Sequence, residues 1–272
     1  MMSARRRCEF QSRYGPWAVV TGASSGIGRA TALQLGEVGL NLVIVGRRHE
    51  LLNDVAAQLS RSSDIETRVV VADLATSSGL EMIEVACKDL DVGLLVAAAG
   101  FGTSGPFLEA DLRVELEMLD VNCGALVGEC LYFGRRFARR GRGGIVLMAS
   151  LVGFQGVPFS ASYAATKAYV QSLAEALYVE LRPLGIDVLA SAPGPVRSGF
   201  EARANMRMSA AIEPDVVARE TLQALGRKSA VTPGLFSKIL TYPLTPLTRP
   251  LRTRIMARVM GDMTKHQREA SV

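Results

Sequence analysis

Very little in this sequence could hold a metal. It has four cysteines, Cys8, Cys87, Cys123 and Cys130, no CxxC pair, and only two histidines, His49 and His266. That scarcity argues against a Cys/His metal site, and none is expected. Cys123 and Cys130 lie seven positions apart and suit one helical face as small core residues. Long apolar runs are missing too. No stretch reaches the roughly eighteen apolar residues that would read as a bilayer span. No apolar segment follows the N-terminal arginines before the first strand pattern, so no secretory signal is expected and the reducing cytoplasm is the default compartment. The basic excess is small. Lys+Arg is 31 against 26 Asp+Glu, a net charge of +5, much of it in residues 5–7 and after Pro233. Nucleic-acid binding would need a dense basic face with a recognisable motif, and neither is present. A phosphate-bearing cofactor or a membrane surface would use these charges equally well.

What is there is a globular α/β pattern. The 272 residues are 49% hydrophobic and 21% charged, enough for a sizeable core. Short apolar runs at 17–22, 41–46, 67–74, 92–100, 143–150 and 186–194 read as strands. Amphipathic stretches at 26–39, 49–60, 80–90, 112–139, 161–184 and 213–226 read as helices, and 228–235 gives a last short strand. Near-continuous apolar strands alternating with helices predict a doubly wound parallel sheet covered on both faces. No Pro/Gly/Ser linker divides the chain. One domain is expected over 15–235, with an extension at 1–14 and a helical, basic, amphipathic tail at 236–272.

The sequence TGASSGIG, residues 21–28, falls where the first strand becomes the first helix. Gly22, Gly26 and Gly28 would let the backbone approach a pyrophosphate at a helix N-terminus. The second strand ends in Gly46-Arg47-Arg48. Many dinucleotide folds put a carboxylate there for the ribose hydroxyls. A guanidinium instead binds a 2′-phosphate, so Arg47, with Arg48, points to NADP(H) over NAD(H). Asp73 ends the third strand and could accept from an adenine amino group or cap the next turn. Asn122 sits inside a helical pattern that disfavours it; it either bonds locally or holds a water in a site. Ser150 ends the fifth strand, thirteen residues before Tyr163. Tyr163 and Lys167 are four apart on one helical face. An ammonium beside a phenol favours the phenolate, and so lowers its pKa toward working pH.

Taken in order, TGxxxGIG at 21–28, Asp73, Asn122, Ser150, YxxxK at 163–167 and PGPVRS at 193–198 resemble the short-chain dehydrogenase/reductase family over about 15–235. The resemblance implies a Rossmann-type fold and a hydride transfer between a nicotinamide and a carbonyl or hydroxyl group. It implies Tyr163 as general acid/base, Lys167 lowering its pKa and bonding the nicotinamide ribose, Ser150 orienting the carbonyl, and Asn122 holding a relay water. It puts Ser24, Ser25, Ile27, Leu74, Ala99 and Gly100 along the dinucleotide. Pro193, Gly194 and Val196 then border the nicotinamide, with Ser198 where the family often has threonine. One departure is visible: Ala97-Ala98-Ala99-Gly100 replaces the family's NNAG, which puts some strand-tying hydrogen bonds in doubt.

The resemblance also makes 198–213 a substrate lid. Phe200, Met206 and Met208 would line it, or serve only as a surface loop's core-facing residues. Arg197, Arg203 and Arg207 could meet an anionic substrate or face water. In the tail, Leu251, Ile255, Val259 and Met263 recur at four-residue spacing among arginines. Such a helix can lie on a bilayer surface, although packing on its own domain or a second subunit is commoner. The expected substrate is an apolar ketone, a ketosteroid or a 3-ketoacyl chain. The expected assembly is a homodimer paired through 112–139 and 162–184, with a tetramer as the alternative. A non-enzymatic, cofactor-sensing regulator is the competing function on the same fold; the presence of Ser150, Tyr163 and Lys167 together favours the enzyme.

Overall fold

The computed structural model describes residues 3–208, 210–244 and 246–269. In chain order the elements are α1 (Ala4–Tyr14), β1 (Trp17–Thr21), α2 (Gly26–Val38), β2 (Asn41–Gly46), α3 (His49–Ser62), β3 (Thr67–Val71), α4 (Ser77–Cys87) and β4 (Val92–Ala97). They continue with α5 (Leu112–Leu119), a π-helical segment (Asp120–Ala125), α6 (Leu126–Arg140), β5 (Gly143–Met148), α7 (Ala161–Leu181) and β6 (Ile186–Ser191). The last are α8 (Phe200–Arg203), α9 (Pro214–Ala224), β7 (Ala230–Val231), α10 (Leu235–Thr241), α11 (Arg249–Met263) and α12 (Lys265–Glu269).

The seven strands form one sheet in the order β3-β2-β1-β4-β5-β6-β7, every pair parallel. The doubly wound α/β expectation therefore holds. The order reverses between β1 and β4. The crevice outside the strands' carboxyl ends at that switch point is where such folds bind ligands. One apolar layer joins the sheet to α4, α6 and α7 through residues such as Val19, Leu95, Ile83, Phe133, Phe137 and Val170. The other joins it to α2, α3 and α9 through Val20, Ile44, Leu35, Leu52, Leu59 and Leu222. Strands buried on both faces explain the unbroken apolar runs.

Three expectations need adjusting. Strands β3, β4, β5 and β6 stop two or three residues earlier than their apolar runs, so 72–74, 98–100, 149–150 and 192–194 are free to form loops over the crevice. The helical stretch expected at 112–139 is interrupted by the π segment around Asn122. Residues 4–14, expected as an extension, form α1, whose Phe10 and Tyr14 are buried in the second apolar layer. Burying such side chains is worth about 1.5–3 kcal/mol each. The Tyr14 hydroxyl donates to Asp187 Oδ2 at 2.6 Å, tying α1 to β6.

Candidate active site

The glycine turn follows from backbone sterics. Gly22 has φ +67°, and a Cβ there would sit 2.7 Å from the Ala98 carbonyl oxygen. A Cβ on Gly28 would sit 2.3 Å from the Gly22 oxygen. Only glycine lets β1, the turn and α2 close this tightly. The turn and the first residues of α2 line a cavity of about 720 Å³ that also takes in Arg47, Arg48, Asp73, Leu74, Ala99 and Gly100. Arg48 Nη2 donates to Ser24 Oγ at 3.0 Å and Ser25 Oγ at 2.7 Å, which turns a cation toward the helix N-terminus. Arg47 Nη1 donates to Glu117 Oε1 at 2.9 Å and lies 3.9 Å from Asp73 Oδ2. Asp73 Oδ1 accepts from the Ala75 amide at 3.1 Å, so its turn-capping role is realised while its side chain still borders the cavity. Paired glycines, unpaired helix N–H groups and two arginines form a cradle that fits a dinucleotide.

Ser150, Tyr163 and Lys167 converge at the far end of the same cavity, and all three are buried. Burial pushes the Tyr163 phenol up to about 12, while a hydrogen bond with the Ser150 side chain pulls it down. Burial also lowers the Lys167 ammonium to about 8. Lys167 Nζ donates to the Met148 carbonyl at 2.7 Å and lies 5.8 Å from the Tyr163 ring centroid. Desolvation sets the direction of the Tyr163 shift here, and the Lys167 ammonium expected to depress it is turned to a backbone carbonyl.

Asn122 explains its own mid-helix placement. Its Oδ1 accepts from the Phe101 amide at 3.1 Å, and its Nδ2 donates to the Phe101 carbonyl at 2.9 Å and to Thr166 Oγ1 at 3.0 Å. The Thr166 hydroxyl in turn donates to the Tyr163 carbonyl at 2.8 Å. The local-bonding alternative is the one realised by the side chain: it clamps the loop after β4 onto the turn of α7 that carries the tyrosine. The departure at 97–100 has a partial substitute. The Ala99 amide donates to Thr21 Oγ1 at 3.3 Å. Below it, Glu129 of α6 is buried beside the Thr21 side chain; desolvation raises its carboxyl to about 8. Sequence reading missed Glu129, whose only signal was an acid among apolar helix neighbours.

Residues of the 193–198 segment form the opposite wall. The Pro193 carbonyl accepts from the Leu151 amide at 3.1 Å and faces Ser150 Oγ at 3.5 Å. The Gly194 amide donates to Ser237 Oγ at 3.0 Å. Val196 bridges to Ile212. Ser198 Oγ accepts from the Phe200 amide at 3.3 Å and so starts α8.

Past Tyr163 the cavity becomes apolar. The Phe200 ring lies 5.2 Å from the Tyr163 ring, and Val152, Met206 and Met208 add to the wall. The tail supplies the rest, with Ile255, Met256, Val259, Met260 and Met263 all lining the space. The expected tail stripe thus holds at Ile255, Val259 and Met263 and needs two adjustments. Met260, absent from the expected set, is the buried residue of α11, and Leu251 is 43% exposed. The helix turns its methionines into the chamber, packing with Val157, Ala164 and Met206. Of the three arginines in 197–207, Arg197 pairs with Glu213 at 2.9 Å and Arg203 with Glu117 at 3.4 Å. Among the described residues no helix is long and apolar enough to cross a membrane.

Comparison with known proteins agrees with this geometry. The family model described as short chain dehydrogenase matches residues 16–209. A 7beta-hydroxysteroid dehydrogenase of Clostridium sardiniense is 30% identical over 83% of this chain and 88% of its own. A very-long-chain 3-oxoacyl-CoA reductase-like protein of Arabidopsis thaliana is 35% identical over 81% of this chain and 73% of its own. A solved short-chain dehydrogenase from Sphingobium yanoikuyae in complex with NADPH superposes with a TM-score of 0.76 at 31% identity, covering 80% of this chain and 87% of that one. The chain belongs to the short-chain dehydrogenase family and is an oxidoreductase that acts on CH–OH groups with a nicotinamide dinucleotide.

Proposed function

We propose that the chain reduces a bulky, largely apolar ketone with NADPH. The observation that carries this reading is the continuity of the one cavity, from the glycine turn and Arg47 past Ser150 and Tyr163 into a chamber roofed by methionines. Arg47 and Arg48 stand where a carboxylate would select NADH, which supports the phosphorylated cofactor. The names of the steroid and acyl-thioester relatives fit an apolar chamber of this size, and methionines suit a bulky apolar guest.

In this reading the dinucleotide supplies the hydride. Ser150 Oγ donates to the substrate carbonyl oxygen and orients it. The Tyr163 hydroxyl passes its proton to that oxygen as negative charge develops there. The Lys167 ammonium turns from Met148 toward the nicotinamide ribose and favours the phenolate left behind. Asn122 acts through Thr166 and Phe101, fixing the turn of α7, with a relay water held nearby. Gly22, Gly26, Gly28, Ser24, Ser25 and Ile27 hold the pyrophosphate. Asp73, Leu74, Ala99 and Gly100 border the adenosine half, and Pro193, Gly194, Val196 and Ser198 the nicotinamide. An NADPH-oxidation screen over small ketones, ketosteroids and 3-ketoacyl thioesters tests the reading, with Tyr163→Phe as control. A loss of about 10²–10⁴-fold in kcat with NADPH binding retained is expected. A variant keeping more than about a tenth of the rate would remove Tyr163 from the acid's role.

The assembly we propose is a homodimer. Leu116, Leu119, Leu131, Tyr169 and Val179 lie exposed along α5, α6 and α7, an apolar surface that calls for cover. Light scattering giving a monomer would refute this pairing. A peripheral membrane contact would be left to the remaining tail surface, including Leu251, and vesicle flotation at low salt decides it.

A further inference from the structure

Glu117 of α5 serves two arginines from opposite ends of the site. Its Oε1 accepts from Arg47 Nη1 at 2.9 Å and lies 3.4 Å from Arg203 Nη2. Arg47 follows β2, at the adenosine end. Arg203 ends α8, the short helix whose first residue, Phe200, packs at a tilt against the Tyr163 ring. The Arg203 guanidinium also sits 4.5 Å above the Phe101 ring. Glu117 is the more enclosed partner, with its side chain 24% exposed against 47% for Arg47 and 46% for Arg203. Both arginines line the same cavity.

One oxygen cannot serve both cations at full strength. An anion arriving at Arg47 would draw that guanidinium away and leave the Glu117 charge to Arg203 alone. A cofactor phosphate carries up to two negative charges and binds arginine by paired, charge-assisted hydrogen bonds, so it outcompetes a single carboxylate oxygen. From this shared contact we infer that Glu117 is a positioning residue that couples the 2′-phosphate of the dinucleotide to closure of α8 over Tyr163. The inference rests on the NADPH reading of the site. It adds a consequence that reading lacks: the phosphate does more than select the cofactor, because it also strengthens the Arg203–Glu117 contact that holds the wall of the substrate chamber.

Hydrogen exchange of the amides in 200–207 tests this on the full chain, with adenosine 2′,5′-bisphosphate and 5′-ADP as probes. Neither carries a nicotinamide, so protection cannot come from contacts near Ser198. The 2′-phosphate probe should slow exchange about fivefold or more beyond 5′-ADP, the lower end of ordinary coupling. The isosteric Glu117→Gln should bind both probes yet lose the difference, and Arg203→Gln should do the same. In steady state Glu117→Gln should raise KM for a bulky ketone with NADPH and leave KM with NADH little changed. Equal protection by the two saturating probes in the wild type would overturn the coupling while leaving the NADPH reading intact. A difference that survives in Glu117→Gln would overturn it as well. Failure of the 2′-phosphate probe to bind more tightly than 5′-ADP would overturn the NADPH reading and the coupling with it.

Discussion

Lys167 Nζ donates to the carbonyl of Met148, two residues before Ser150, at 2.7 Å. This single bond ties α7 to the end of β5 and holds a cation inside the protein. Burial lowers the Lys167 pKa to about 8 from 10.5. Below pH 8 both folded and unfolded chains carry the proton, and the desolvation cost is felt in full. Between pH 8 and 10.5 the folded chain has released it and the unfolded chain has not, so this contribution becomes less unfavourable as pH rises. Lys167→Met should therefore be inactive yet melt about 2–4 °C higher at pH 7, with the advantage shrinking toward pH 10. A lower Tm at pH 7 would show that the bond to Met148 outweighs desolvation.

Arg47→Ala should weaken NADPH binding about tenfold and leave NADH nearly unchanged. A hydrogen bond to a charged group is worth about 1.5–3 kcal/mol, and a half-exposed guanidinium belongs at the lower end. Fluorescence titration of both cofactors measures it. Equal affinities in the wild type would remove the NADPH assignment.

Met256→Trp should fill the chamber from its roof. We expect kcat/KM for a bulky ketone to fall by about tenfold or more, corresponding to about 1.4 kcal/mol in the transition state. A small ketone should be reduced at nearly the wild-type rate, with NADPH affinity unchanged. If both substrates suffer equally, α11 supports the fold rather than the choice of substrate.

Glu129 predicts the opposite trend to Lys167. Its carboxyl is raised to about 8 by burial from 4.5. Below pH 4.5 both states are protonated and no penalty arises. Between pH 4.5 and 8 the unfolded chain ionises while the folded one does not, so the penalty grows with pH and is complete above 8. Glu129→Gln should match the wild type near pH 4.5 and gain about 2–4 °C in Tm at pH 9. Melting curves at the two pH values check it; a gain that is the same at both would rule out ionisation as the cause.

The parallel sheet was legible because buried strands write themselves locally, as in residues 41–46 and 92–97; the strand order, and with it the switch point, came only with the fold. The glycine turn was legible for a similar reason: only glycine allows the approach of Gly28 to Gly22. Tyr163 and Lys167 share one helical face, which spacing alone reveals. Glu117 was not legible. Its partners lie 70 and 86 positions away, and no periodicity records a charge pair made across a crevice. The roof was legible in part: Ile255, Val259 and Met263 of the expected stripe line the chamber, while Met256 and Met260 escape the four-residue spacing and Leu251 stays outside. What selects the Met260 face is the hollow left by Val157, Ala164 and Met206, and that hollow exists only after folding.

The tail's attachment has a thermodynamic consequence. Its described links to the domain include the Ser237–Gly194 bond, the Arg207 amide to the Met263 carbonyl at 3.0 Å, and Gln267 on the Asn205 carbonyl, while Met260 is the only buried residue within α11. Segments with few buried apolar contacts open at lower free energy than central strands. Substrate discrimination should thus melt before cofactor binding does. In rising urea, the ratio of bulky-ketone to small-ketone turnover should fall while NADPH fluorescence still reports an intact groove. Under mild stress the enzyme would become less selective before it became inactive.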